Sequence, residues 1–296
     1  MNASAFPIFV ASRSLASRLG RALLCILLVG FAGHASGQTA PTATKKPAAA
    51  KAPATPKPAE EKAPAELKSA EEILKRVDEQ MTFDTRSMMA KMIIVTPEET
   101  REKEMKIFAR GQDDSFITFL KPARDKGTKI LKLQQQLWTY FPRGEKTVKI
   151  SGHMLRQSMM GSDLSYEDLT ENKKLLELYN VALIGSETVD GEDSYVLELK
   201  EKKKGTSYPK IKQWVSKRHL IPVKEERYAN TGRLLKLMRM TDIRQHGTRA
   251  YPSRFIVEDK LKKGTRTELV LEELKFGAQV PQEAFEIRNL DREIAL

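Results

Sequence analysis

Residues 183–200, LIGSETVDGEDSYVLELK, contain two short runs rich in apolar residues, Leu183–Val189 and Ser194–Lys200, on either side of Asp190-Gly191. Short runs in which apolar and polar side chains alternate are typical of β-strands with one buried face. The dipeptide Asp-Gly readily takes the positive φ angles that a tight hairpin turn requires. The stretch therefore predicts an antiparallel β-hairpin.

Similar runs continue on both sides of this hairpin. Six precede it: Met88–Val95, Glu102–Arg110, Ser115–Leu120, Thr128–Leu133, Leu137–Phe141 and Thr147–Ile150. Five follow it: Ile211–Ser216, Val223–Tyr228, Leu234–Ile243, Ser253–Asp259 and Thr265–Phe276. Because proline- and glycine-containing turns of a few residues separate them, the strands are expected to pair antiparallel with their sequence neighbours. We predict one large, strongly curved antiparallel sheet with a few helices laid against it.

A helix is predicted ahead of the first strand. Ser69 is a candidate N-cap and Glu72 stands at the N3 position, the arrangement of a capping box. Helical spacing then places four apolar residues on one face: Ile73, Leu74, Val77 and Met81. Further helical turns are predicted at Tyr166–Thr170, at Lys173–Leu178 and at Pro281–Phe285, where the proline begins the turn.

The N-terminus has the three regions of a secretory signal peptide. Arginines precede the apolar run Ala22–Ala32, and Ala35-Ser36-Gly37 supplies small residues for cleavage before Gln38. An apolar run of this length is shorter than the roughly 20 residues of a membrane-spanning helix. We predict a signal peptide over residues 1–37, and hence export to the periplasm of a Gram-negative envelope.

A linker is predicted over residues 38–66, where alanine, proline, lysine and threonine predominate. Such a composition cannot bury a core, so the segment is interpreted as a disordered spacer. One folded domain is then expected over residues 67–296. Residues 67–296 hold 43 basic and 36 acidic residues, a net charge of +7 that favours weak attraction to anionic surfaces such as membranes. The predicted export makes nucleic acid an unexpected partner.

The sequence offers no arrangement that predicts catalysis. Its one cysteine, Cys25, lies in the predicted signal peptide, so the mature chain is expected to have neither disulfides nor thiol chemistry. His153, His219 and His246 lack the spacing of a metal site. Motifs for nucleotide binding and for a serine nucleophile are not found. We therefore expect no enzyme, no metal and no cofactor.

One acidic cluster would be the best candidate region if the protein were an enzyme. It comprises Asp163, Tyr166, Glu167 and Asp168. Serine and aspartate at such spacing commonly cap helices and form turns, and this structural interpretation is favoured.

Methionine is unusually prominent after the linker. Its side chain is flexible and polarisable, and therefore suits surfaces that accommodate variable apolar partners as well as ordinary cores. The segment His153–Met160 concentrates these residues beside Gly152 and Gly161. An apolar loop flanked by glycines can form the rim or lid of a cavity, and simple packing is the alternative interpretation.

The sequence resembles the periplasmic outer-membrane lipoprotein-sorting proteins of the LolA-like type, in their broader and less characterised branch. The resemblance covers nearly all of residues 70–290. It is carried by Ile117–Pro122, Gly127–Leu131, Leu137–Pro142, Met160–Leu169, Tyr195–Leu199, Gln213–Val215 and Tyr228–Lys236. Its most specific parts are the WxYxP pattern that ends at Pro142 and the segment GSDLSYEDL, residues 161–169.

The resemblance implies a mainly β fold of the α+β class, a strongly curved antiparallel half-barrel sheet of about 11 strands with a few helices covering the concave face. It also implies a hydrophobic cavity that carries acyl chains of lipoproteins or other lipids toward the outer membrane. An inner-membrane transporter, an outer-membrane acceptor and peripheral membrane contact follow as candidate interactions. An envelope sensor and an accessory subunit of a lipid-exporting transporter are the alternative functions.

Seven residues are candidates for the wall of that cavity. They are Trp138, Tyr140, Met154, Leu155, Met159, Met160 and Trp214. Alternation places Trp138 and Tyr140 on the same face of one strand, where a structural role is the alternative to a ligand-binding one.

Overall fold

The computed structural model of the chain describes residues 69–170 and 175–295. The predicted signal peptide and linker lie outside these residues. In the described part of the chain, no helix combines the length and the apolar character needed to cross a membrane.

Thirteen strands form one sheet, two more than the expected number of about 11. They are β1 (Thr85–Val95), β2 (Thr100–Arg110), β3 (Asp114–Lys121), β4 (Lys129–Leu133), β5 (Gln136–Phe141), β6 (Lys146–Ile150), β7 (Tyr179–Val189), β8 (Glu192–Glu201), β9 (Lys210–Ser216), β10 (Pro222–Tyr228), β11 (Leu234–His246), β12 (Arg249–Asp259) and β13 (Arg266–Phe276). All pairs are antiparallel, and each predicted run lies within one strand or overlaps it. The mainly β prediction is confirmed.

The sheet consists of two meanders that meet in its middle. The order β6-β5-β4-β3-β2-β1-β13-β12-β11-β10-β9-β8-β7 shows that the first and last strands of the chain pair with each other. Ala90 lies opposite Leu271 in this central pair. The strands β6 and β7 remain as edges, so the curved sheet is open rather than closed.

The hairpin predicted from residues 183–200 is formed by β7 and β8. Val189 pairs with Glu192 across the turn, where Asp190 has φ 50° and Gly191 has φ 85°. Positive φ at both turn residues gives the twist that matches two neighbouring strands. The tight turn confirms the interpretation of Asp190-Gly191.

Short helices cover the concave face. They are α1 (Ala70–Met81), α2 (Tyr166–Thr170) and α3 (Leu175–Leu178). Ser69 caps α1 by accepting a hydrogen bond from the Glu72 amide at 3.1 Å. The apolar stripe of α1 is buried against the sheet, as its spacing predicted.

The opposite face of strands β2–β5 is covered by the segment 277–295, which we call the C-terminal strap. It contains short 3-10 turns at Gln282–Phe285 and Ile287–Asn289. Five of its apolar residues pack on five from the sheet: Val280, Ala284, Phe285, Leu290 and Ile294 on Phe108, Phe116, Leu131, Trp138 and Tyr140. The sequence predicted the first turn but not that it would cover a second apolar surface.

Lys129 fastens the end of the C-terminal strap. Its ammonium group donates to the carbonyl oxygen of Leu290 at 3.0 Å and also to that of Arg292. Burial lowers the pKa of Lys129, while Asp291 and Glu293 act in the opposite direction. A cation near the end of a helical turn pairs with carbonyls that lack partners within the turn.

Candidate functional site

A cavity of about 160 Å³ lies on the concave face between the helices and strands β9–β12. We call it the concave cavity. Most of its wall is apolar: Val77, Met81, Leu164, Leu175, Ile211, Pro222, Met238, Met240 and Phe255. The helical period brings Val77 and Met81 to the sheet side of α1, and the strand period brings Ile211 and Met238 to the concave face of β9 and β11.

A charged network forms one wall of the concave cavity. Asp168, in the first turn of α2, is 3% exposed in its side chain and lies 3.0 Å from the guanidinium of Arg227. It also accepts hydrogen bonds from Lys236 and from the hydroxyl of Tyr208, the latter at 2.8 Å. Arg227 in turn pairs with Glu225 at 2.5 Å. Two carboxylates and two cations leave this network without formal net charge, so it does not by itself favour an ionic ligand.

The ionisation of Asp168 is held by its partners. Burial raises the pKa of this carboxyl. The charges of Arg227 and Lys236 and the hydrogen bonds from Lys236 and Ser165 lower the pKa by more, so that it lies below its usual value. The group is therefore a stable anion at neutral pH. A carboxylate fixed in this way acts as a structural anchor rather than as a proton donor.

Gln213 contributes a polar group to the same wall. Its amide nitrogen donates to Glu225 at 2.9 Å, but its amide oxygen is buried without a partner in the described residues. An unpaired buried acceptor is unfavourable by about 1–3 kcal/mol. The concave cavity can therefore offer a hydrogen-bond acceptor to a ligand that carries a donor.

The segment GSDLSYEDL is held to the sheet by a second buried carboxylate. Asp163 is 2% exposed and accepts hydrogen bonds from the hydroxyls of Thr265 and Thr267, at 2.5 and 2.8 Å. Lys262 reaches back to Ser158 at 2.8 Å. Two residues of the acidic cluster therefore hold the segment to the sheet: Asp163 binds threonines at the start of β13, and Asp168 binds Arg227 of β10 and Lys236 of β11. This arrangement agrees with the structural interpretation of the cluster.

Four of the predicted site residues lie together on the concave side. Met154, Leu155, Met159 and Met160 pack against the same apolar core as α1. Met159 is buried, while the other three are partly exposed. They belong to short 3-10 turns at Gly152–Arg156 and Met159–Gly161, and they do not line the concave cavity.

The other three predicted residues lie elsewhere, so the seven do not form one site. Trp138 and Tyr140 point from β5 to the opposite face and are covered by the C-terminal strap. Trp214 forms a separate cluster with Val196 and Val223, and its indole donates to Glu187 at 2.7 Å. Alternation explains this division, because Leu137 and Ile211, which belong to the concave core, have the opposite strand parity.

Sequence reasoning missed most of the cavity wall. Ile211 and Met238 were recognised as strand residues but not as members of a site. Arg227 and Lys236 stand 59 and 68 residues from the carboxylate that they contact, so no local spacing connects them. A usable signal was present: Lys236 interrupts the apolar pattern of β11, and a cation on a buried face needs a partner.

The remaining titratable groups of the described residues do not assemble into a metal site. In residues 69–170 and 175–295, no group of three or more His, Cys, Asp or Glu side chains could hold an ion. His219 lies 3.9 Å from Glu192, and His246 contacts the ring of Phe276.

A family profile described as "Uncharacterized protein" matches residues 111–292. No curated protein matches the chain.

Three solved structures are similar over most of the chain. A DUF1329 family protein from Desulfovibrio piger has a TM-score of 0.69 and 27% identity, over 74% of this chain and 96% of that one. A LolA superfamily protein from Nitrosomonas europaea has a TM-score of 0.62 and 26% identity, over 75% and 99%. An outer-membrane lipoprotein-sorting protein domain from Vibrio parahaemolyticus has a TM-score of 0.67 and 24% identity, over 75% and 100%. The resemblance to LolA-like proteins is confirmed.

Proposed function

We propose that the protein is a periplasmic carrier of acyl chains. The chain belongs to the family of uncharacterised proteins whose profile it matches, and it has a LolA-like fold. Residues 1–37 direct export and are removed, residues 38–66 are a spacer, and residues 67–296 are the carrier domain. The cargo is a lipoprotein or another lipid, and its destination is the outer membrane. No catalytic step is part of this proposal.

The observation that carries the proposal is the apolar wall of the concave cavity. Burial of each methylene is worth about 0.8 kcal/mol, so even part of an acyl chain gains substantial affinity. Methionines such as Met81 and Met238 can adjust to chains of different shape. The unpaired amide oxygen of Gln213 can accept a hydrogen bond from a hydroxyl or amide group near the head of the lipid.

The small volume of the concave cavity favours release of the bound acyl chain. At about 160 Å³ it is smaller than the roughly 300–1,000 Å³ of pockets that enclose drug-sized ligands. A whole acyl chain therefore needs α1 to move outward from the sheet. Because this opening exposes the apolar face of α1, it opposes loading and favours release, as a carrier requires.

Filling the concave cavity is expected to abolish cargo uptake. Met238 is partly buried and lines the cavity, so Met238→Trp places an indole where the acyl chain binds. We expect uptake of a fluorescent fatty acid in solution to fall at least about tenfold, which corresponds to about 1.4 kcal/mol. The melting temperature of the variant reports whether the fold is retained.

The matched control is Met154→Trp. Met154 packs on the same core but does not line the concave cavity. It is expected to leave uptake near that of the wild type. If Met154→Trp blocks uptake and Met238→Trp does not, the acyl chain binds beneath the segment His153–Met160 instead of in the concave cavity. If neither variant nor wild type takes up the probe, the carrier proposal fails.

A further inference from the structure

The turns that join β7 to β13 divide between two ends that differ in charge. Successive strands run antiparallel, so the turns after β8, β10 and β12 lie at one end and those after β7, β9 and β11 at the other. The segments at the first end, residues 200–206, 229–233 and 258–266, hold nine basic and three acidic residues. Those at the second end, residues 189–193, 217–221 and 244–249, hold four basic and three acidic residues.

Several cations at the first end, which we call the basic end, are free to meet a partner. Lys203, Lys204 and Lys263 are exposed, and none forms an ion pair with a described residue. Arg233 is exposed on the turn between them. The three acidic residues of these segments are already engaged within the protein: Glu201 accepts from Thr206 at 2.9 Å, Glu258 pairs with Lys260, and Asp259 pairs with Lys262.

An apolar side chain stands at the centre of this charge. Leu261 is 54% exposed and is flanked by Lys260, Lys262 and Lys263 in the turn between β12 and β13. A single exposed leucine is unremarkable on a protein surface. In the middle of a lysine-rich turn, however, it matches the layering of a bilayer, with phosphates outside and acyl chains beneath.

The basic end also borders a groove that shares one lining residue with the concave cavity. The groove has a volume of about 280 Å³ and is lined by Thr206, Tyr208, Leu235, Lys236, Leu261 and Leu164, among others. Leu164 lines the concave cavity as well. The groove therefore adjoins the cavity at this residue.

We propose that the basic end docks on a bilayer of anionic phospholipids, with Leu261 inserted and the adjoining groove as the entry for acyl chains. Lysines and arginines near an anionic surface bind its phosphates from several positions, and a shallow apolar anchor adds to this attraction. The entry route rests on the carrier function proposed above, while the docking face does not.

The test is co-sedimentation of the chain from Gln38 onward with vesicles of phosphatidylglycerol, compared with vesicles of phosphatidylcholine. The linker remains in every variant, so its own basic residues contribute equally. We expect the wild type to bind the anionic vesicles only, and less strongly as salt is added. Lys203→Glu with Lys263→Glu is expected to lower the partition coefficient by about tenfold or more.

Arg244→Glu with Lys275→Glu is the matched control. It makes the same change in net charge with two exposed residues at the opposite end, and it should bind nearly as the wild type does. Leu261→Gln keeps every charge and should lower the partition coefficient severalfold. Equal losses in the two charge variants, or no loss in either, would overturn the docking face.

Uptake of a soluble fluorescent fatty acid separates this inference from the carrier proposal. Lys203→Glu with Lys263→Glu leaves the concave cavity intact, so it should load the probe in solution as the wild type does. Vesicle binding without any probe uptake would remove the carrier function and the entry route but keep the docking face. Probe uptake without charge-dependent vesicle binding would keep the carrier function but remove the docking face.

Discussion

Replacing Asp168 by asparagine is expected to lower the free energy of unfolding by about 3–5 kcal/mol. The change removes one charge from a buried network and leaves Arg227 and Lys236 without their common partner. Uncompensated buried cations are strongly unfavourable, whereas the amide can replace only part of the hydrogen bonding. Urea denaturation at neutral pH measures the effect.

Glu167→Gln is the control for this variant. The neighbouring Glu167 is only half-buried and forms no ion pair with a described residue, so its neutralisation should change stability by less than about 0.5 kcal/mol. A loss of less than about 1 kcal/mol for Asp168→Asn would show that the network does not hold the α2 region to the sheet.

The effect of Asp168 is expected to depend on pH. Because its pKa is lower in the folded than in the unfolded protein, its contribution is fully present above the unfolded value of about 3.9. The contribution disappears as the pH falls through the folded pKa. The difference in stability between wild type and Asp168→Asn should therefore shrink in acid, and a difference that grew on acidification would contradict the assignment.

The second large effect concerns the C-terminal strap. Phe285 is 5% exposed, packs on the aromatic surface that contains Trp138, and stacks beneath the guanidinium of Arg110 at 4.5 Å. Phe285→Ala is expected to lower the free energy of unfolding by about 3–5 kcal/mol, because it removes a buried ring and leaves a cavity. Release of the strap should also move the emission of Trp138 to longer wavelength.

The strap provides its own control in Ile287, which is 42% exposed. Ile287→Ala should change stability by less than about 0.5 kcal/mol and leave the emission unchanged. Recording both variants in a Trp214→Phe background assigns the signal to Trp138, since the chain has two tryptophans. Equal effects of the two strap variants would mean that the ring of Phe285 does not fasten the segment.

Local chemistry predicted much of the fold. Asp190-Gly191 predicted a tight turn and Ser69 predicted a helix start, each from the residues next to it in the sequence. The structure has both features at these residues. Strand periodicity also showed that Trp138 and Tyr140 share a face. It could not show which face the helices cover, because alternation is the same for either orientation of the sheet.

The position of Trp138 beneath the strap and the burial of Asp168 were harder to predict, because both depend on contacts between residues far apart in the sequence. The strap has no regular period, so its cover over Trp138 left no signal in the sequence. Asp168 was interpreted as a capping residue, and it does accept hydrogen bonds from Ser165 as such a residue would. Its burial against Arg227 and Lys236 depends on contacts between distant strands, which spacing along the chain does not encode.

Native mass spectrometry with lipid extraction measures whether the concave cavity holds acyl chains. The protein purified from an envelope fraction is measured before and after incubation with added lipid. If the protein is a carrier, we expect a substoichiometric acyl-chain species that exchanges with the added lipid. A clean mass of the protein alone, with no uptake of lipid or lipopeptide, would contradict it.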